Sequence, residues 1–185
     1  MGVIFDIMGM LIVRAAIIAI ILNLMVGMHE ALYKNTERIF LSETISAPAQ
    51  VIAADLKLAG YNSTNKQFPV AQINEMSFYA DIDTNGTVDV IRFYQNITTS
   101  RLKKLYRSIN GGSVLEIARN VTTFKVLYFT NTGSTTSGTP CSNIKSVYIK
   151  MVIESRNRER IQNSGTSDNT VRSVKWEEHI FPENL

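Results

Sequence analysis

The sequence predicts an α+β protein in which one long N-terminal α-helix packs on an antiparallel β-sheet head. Three observations carry that expectation. Residues 3–26 are almost all Ile, Leu, Met, Val, Ala or Gly. Beyond Gly27 apolar residues recur at helical spacing as far as Ala59. From Met76 the period changes to two, and Asn-Gly and Gly-Gly pairs separate β-rich runs. The expected division is residues 1–60 as helix, first hydrophobic and then amphipathic, and residues 61–185 as head.

The helix comes first. Its apolar stretch exceeds the roughly 20 residues that cross a bilayer. It lacks a basic leader and an A-x-A site, so it reads as a retained span rather than a cleaved secretory signal. Two charges interrupt it, Asp6 and Arg14. A charge at the bilayer centre costs about 2.5–3.5 kcal/mol on insertion scales, so such residues usually have a partner or a function. Eight residues of helix give about 12 Å of rise and about 80° of rotation. Asp6 and Arg14 of one chain are therefore poorly placed for each other, and the economical pairing is between neighbouring chains. The alternative puts Asp6 at the membrane interface and lets Arg14 snorkel.

After Gly27 the expected stripe is Leu32, Ile39, Ile45, Ile52, Leu56 and Ala59, with Glu30 and Lys34 at i,i+4 in the favourable order. Pro48 should kink this helix without ending it, because a helical pattern resumes at Ala49. Gly60 is the expected stop.

In the head, residues 76–82 and 88–94 flank Thr84-Asn85-Gly86-Thr87, a hairpin signal. Further strands are expected at Lys103–Ile109, residues 121–130, Ile144–Glu154 and residues 171–181. Val147, Ile149, Met151 and Ile153 share one face, as do Val174, Trp176 and Ile180. Residues 110–112, 131–142 and 156–169 read as connections. Five or six strands make an antiparallel sheet, one face of which can cover the emergent half of the helix.

Composition bounds function. A chain of 185 residues holds one domain plus an appendage. The net charge of +3 and pI near 9.0 permit contact with nucleic acid or anionic lipid but argue for neither. The single cysteine, Cys141, excludes an intramolecular disulfide and has no base or metal partner in sequence. His29 and His179 stand apart from any nucleophile, carboxylate cluster or phosphate loop, so no enzyme activity is expected.

Several motifs admit a functional and a plain reading. Asp81, Asp83, Asn85 and Asp89, with Gly86, follow the spacing of a calcium loop, but Arg92 occupies the twelfth position, where a bidentate Glu belongs. The plain reading is a hairpin with solvated acids and no cofactor. Sequons at Asn62, Asn85, Asn96 and Asn120 permit glycosylation, and chance also produces sequons in so Ser/Thr/Asn-rich a chain. Residues 132–139 read as an exposed loop able to carry O-linked sugar. The basic runs at residues 101–107 and 156–160 could touch phosphates, but read better as solvated segments, which makes nucleic acid an unexpected partner.

The long helix, then Ala54-Asp-Leu-Lys-Leu-Ala-Gly-Tyr61, then Asp81-Ile-Asp-Thr-Asn-Gly-Thr-Val-Asp89 leading into Ile91-Arg-Phe-Tyr94, resembles the type IV pilins. The resemblance is nearest to PilW-like minor pilins and pseudopilins. Ile117-Ala-Arg-Asn-Val-Thr-Thr-Phe-Lys-Val-Leu-Tyr128 and Phe181-Pro-Glu-Asn-Leu185 extend it over most of the chain. It implies a ladle-shaped subunit held in the inner membrane and taken up by a pilus assembly machinery. The product would be an extracellular filament, a helical polymer of itself or with other pilins, cored by N-terminal helices. It also implies that the family's acid at the fifth mature position, which pairs with a neighbour's N-terminus, corresponds to Asp6. If cleavage follows Met1, Gly2 is first and Asp6 fifth. A basic leader is not visible, and the disulfide-bounded loop of major pilins is excluded by the lone cysteine. The rival expectation is a single-span surface protein whose head binds a ligand, DNA or a host surface without polymerising.

Overall fold

The computed structural model describes residues 2–96, 101–155 and 172–185, with side chains from Met8 onward. The basic run at 156–160 lies outside the described residues. Helix α1 spans Gly2–Lys57 and runs through Pro48 without interruption. Proline removes one backbone donor from a helix interior, a cost that burial of its ring can offset. Pro48 is indeed buried.

The chain separates into two compact units, Met1–Phe40 and Leu41–Leu185. The boundary falls inside the helix, because its last turns share the core of the second unit. Those turns bury Leu41, Ile45, Ala49, Ile52 and Leu56, a 4-4-3-4 spacing that keeps one face inward. The expected stripe is corrected at its start. Leu32 and Ile39 are each 57% exposed, and Leu41 and Ala49 take their place. Ala59 is buried just past the helix end.

Gly60 ends the helical segment as expected and is held by two requirements. Its φ of +82° is left-handed, and a Cβ there would lie 2.6 Å from the Asn184 carbonyl oxygen. Its N–H donates to the Tyr79 carbonyl at 2.7 Å, while its own carbonyl accepts from Lys66 Nζ, which also reaches Asn184. The turn after the helix is thereby tied to the strand layer and to the last residues of the chain.

The sheet has eight antiparallel strands: β1 Val70–Gln72, β2 Glu75–Ala80, β3 Asp89–Gln95, β4 Lys103–Ile109, β5 Val114–Thr130, β6 Thr135–Thr136, β7 Ile144–Glu154 and β8 Ser173–Ile180. Their order is β1-β2-β3-β4-β5-β7-β8, with β6 pairing on the edge of β5 opposite β7. This exceeds the five or six strands expected. The additions are the short β1 and β6 and the N-terminal part of β5. The inward face carries Ile91, Phe93, Val126, Ile149, Met151 and Ile153, all fully or nearly fully buried with Ile52 and Leu56 of the helix. Phe68, Phe78, Phe93 and Tyr128 form its aromatic centre, with neighbouring centroids 5.8–6.4 Å apart. The Tyr128 hydroxyl is shared between the carbonyls of Gln72 (3.1 Å) and Glu75 (3.0 Å), and burial pushes its phenol far above the ordinary range.

Candidate functional site

The first candidate is the helix before Leu41. From Met8 to Phe40 every side chain is exposed except that of Glu37, which is half-buried. Leu11, Ile12, Ile18, Leu24 and Val26 expose between 58% and 68% of their surface. Monomeric proteins rarely leave a contiguous apolar surface of this extent uncovered. The helix is long and apolar enough to cross a membrane, so a membrane anchor is compatible with it. Asp6 lies within the helix, but its side chain is outside the described residues. Arg14 is exposed on the apolar stretch. Glu30 and Lys34 form the expected surface pair at 3.9 Å, and His29 is exposed on the same helix.

The second candidate, the acidic loop, is built around Asp81. Asp81 is 2% exposed, and its carboxylate accepts three hydrogen bonds. Oδ1 accepts from the Asn85 N–H at 3.1 Å, and Oδ2 from the Gly86 N–H at 3.0 Å and Asn62 Nδ2 at 2.9 Å. The Asn62 hydrogen bond, aided by those backbone donors, holds the Asp81 carboxyl below its usual range against the opposing effect of burial. Asp83 accepts from Asn85 Nδ2 at 2.7 Å, Asn85 Oδ1 accepts from the Thr87 N–H at 2.6 Å, and Asp89 accepts from Asn110 Nδ2 at 2.6 Å. The loop's acceptors therefore close Asx-type turns. Among the described residues no group of three or more His, Cys, Asp or Glu side chains is arranged to hold a metal ion. The link is also longer than the two-residue hairpin that Asn85-Gly86 suggests. Residues 81–88 connect β2 to β3, with positive φ at Thr84 and Gly86 but not at Asn85.

The sequons fall in different settings. Asn62 and Asn85 commit their amide nitrogens to Asp81 and Asp83. Asn96 is exposed after β3, and Asn120 sits within β5 in a left-handed conformation. Cys141 is buried beside Thr136 Oγ1.

The first basic run enters β4 at Lys103, and three of its four charges are engaged. Arg101 pairs with Glu154 at 2.8 Å, Lys104 with Glu116 at 2.7 Å and Arg107 with Asp55 at 2.6 Å. The last of these joins β4 to the helix, and both side chains are largely shielded from solvent. Sequence reasoning missed this pair, whose members stand 52 residues apart. It also missed a groove of about 310 Å³ between the helix and β8, floored by Ile45, Ala49, Val174 and Trp176. Comparison with protein-family models, curated proteins and solved structures returns no match.

Proposed function

We propose that the chain is a structural subunit of a type IV pilus-like extracellular filament, assembled through its N-terminal helix. The observation that carries this reading is the uncovered apolar helix, Met8 to Phe40, continuous with turns that the head covers. A lipid bilayer can cover that surface before assembly, and neighbouring copies can cover it afterwards. The charges distinguish the two. A simple anchor gains nothing from an acid near its N-terminus, whereas a polymer can neutralise Asp6 against the Arg14 or N-terminal amine of another copy.

The subunit has no catalytic role in this reading. Its partners are other copies or related subunits, the inner membrane and an assembly machinery, and its destination is the cell surface. The rival reading, a non-polymerising surface-binding protein, is favoured by the same span and differs in what Asp6 does. Asp6→Ala should leave the protein membrane-inserted and abolish filaments in the sheared fraction. Normal shedding of filaments by Asp6→Ala cells would defeat the intersubunit pairing.

A further inference from the structure

The outward face of the sheet carries a second surface, independent of the helix. Along β5, β7 and β8 the register aligns Leu127, Tyr148 and His179 in one row and Lys125, Lys150 and Glu177 in the next. These residues alternate with the buried Val126, Ile149 and Met151, so they face away from the core.

The charged row is unusual because Lys125 stands directly opposite Lys150. Like charges in that position destabilise a strand pair. Glu177 compensates only part of this. Its carboxylate lies 3.0 Å from Lys150 and 3.0 Å from Lys175, and these contacts hold its pKa down at about 2. Lys125 has no acidic partner among the described residues. Two lysines therefore share one glutamate, and the third has no acid of its own among the described residues.

The aromatic row adjoins it. The His179 ring lies 4.7 Å from Phe181 at 30° and 5.2 Å from Phe129 at 48°, with Tyr148 edge-on at 6.4 Å. His179 Nε2 is 2.8 Å from the hydroxyl of the buried Ser146, which fixes the ring over the strand. Phe181 remains 64% exposed at the edge of this stack.

We infer that this face binds single-stranded nucleic acid, with bases stacking on Phe181 and His179 and phosphates meeting Lys125 and Lys150. Exposed rings beside lysines in excess of acids on a sheet match the two recognition elements of an unpaired strand, accessible base faces and a charged backbone. A duplex hides its base faces. An anionic glycan or polyphosphate would use the lysines without needing the rings.

The test is fluorescence anisotropy with the full chain in detergent micelles and a labelled oligothymidylate, titrated across salt concentrations. Saturable binding is expected, with inorganic polyphosphate competing poorly. Phe181→Ala should weaken it roughly 5- to 150-fold, the range of one lost base–aromatic stack. Lys125→Gln should flatten the slope of log affinity against log salt by about 0.7. Both substitutions are at solvent-accessible positions, and unchanged circular dichroism would confirm folding. Absence of saturable binding at low salt would overturn the proposal. So would equal affinity for duplex DNA, or competition by polyphosphate with no effect of Phe181→Ala, which would mark a general polyanion surface.

Discussion

At the residue scale, single positions in the head have definite physical work. Gly60 combines a left-handed backbone with a close approach to Asn184. Gly60→Ala should cost at least about 1–3 kcal/mol in chemical denaturation, the scale of one residue forced into a sparsely populated conformation. Two carboxylates should make stability depend on pH at the acid end. Asp81 and Glu177 both titrate below their ordinary values in the fold, Glu177 at about 2. Each therefore contributes stability above its unfolded pKa, and that contribution is lost as pH falls through the folded one. The melting-temperature gap between the wild type and Glu177→Gln should be full at neutral pH and close between about pH 4.5 and 2. A constant gap over that window would mean that Glu177 acts by packing alone.

At the element scale, what the sequence reveals depends on how local the cause is. Strands β4 and β7 are predicted to the residue, and in β7 the alternation is complete from Val147 to Glu154. Strand β5 is not, because Asn120 takes a positive φ and the ladder shifts register beside it, breaking the period that marks a strand. Strands β1 and β6 have three and two residues and exist through pairing, which no local pattern records. The helix stripe was legible from Ile45 onward except at Ala49. Its start was not, because Leu32 and Ile39 are as apolar as Leu41, and the difference is where the head begins to cover them. The calcium-like spacing of residues 81–89 is real in sequence, yet its oxygens close a turn. One register of acceptors serves either purpose, and two of the donors that meet it here, Asn62 and Asn110, lie outside the motif.

The seam between helix and sheet gives the element-scale predictions. Ile52 is fully buried at its centre, so Ile52→Ala should destabilise the head by about 2–5 kcal/mol in urea denaturation. Arg107 and Asp55 close the seam at 2.6 Å. Arg107→Ala should cost about 1.5–3 kcal/mol, the worth of a hydrogen bond to a charged group, and Asp55→Ala a similar amount. The double variant should lose less than the sum of the two, because each single change leaves one charge stranded.

At the scale of the whole molecule, the chain divides into two units of different surface character, an apolar exposed helix and a head with a buried core. The unit Leu41–Leu185 has its own core, built from the end of the helix and the sheet. A chain beginning at Met28 should therefore be soluble and unfold cooperatively, whereas the full chain should need detergent or a membrane. The apolar length of the first unit was readable at once, since composition alone identifies it. Its purpose is not written in composition, because lipid and neighbouring helices offer the same apolar cover. Asp6 and Arg14 are the residues on which that choice turns.

The most direct measurement is electron microscopy of material sheared from cells producing this chain, with mass spectrometry of the filaments and sequencing of the subunit's N-terminus. Filaments composed of this chain, carrying its apolar helix, are the expected result. Recovery of the chain solely as a membrane-bound, unpolymerised protein, under conditions where the cells assemble filaments, would contradict the account.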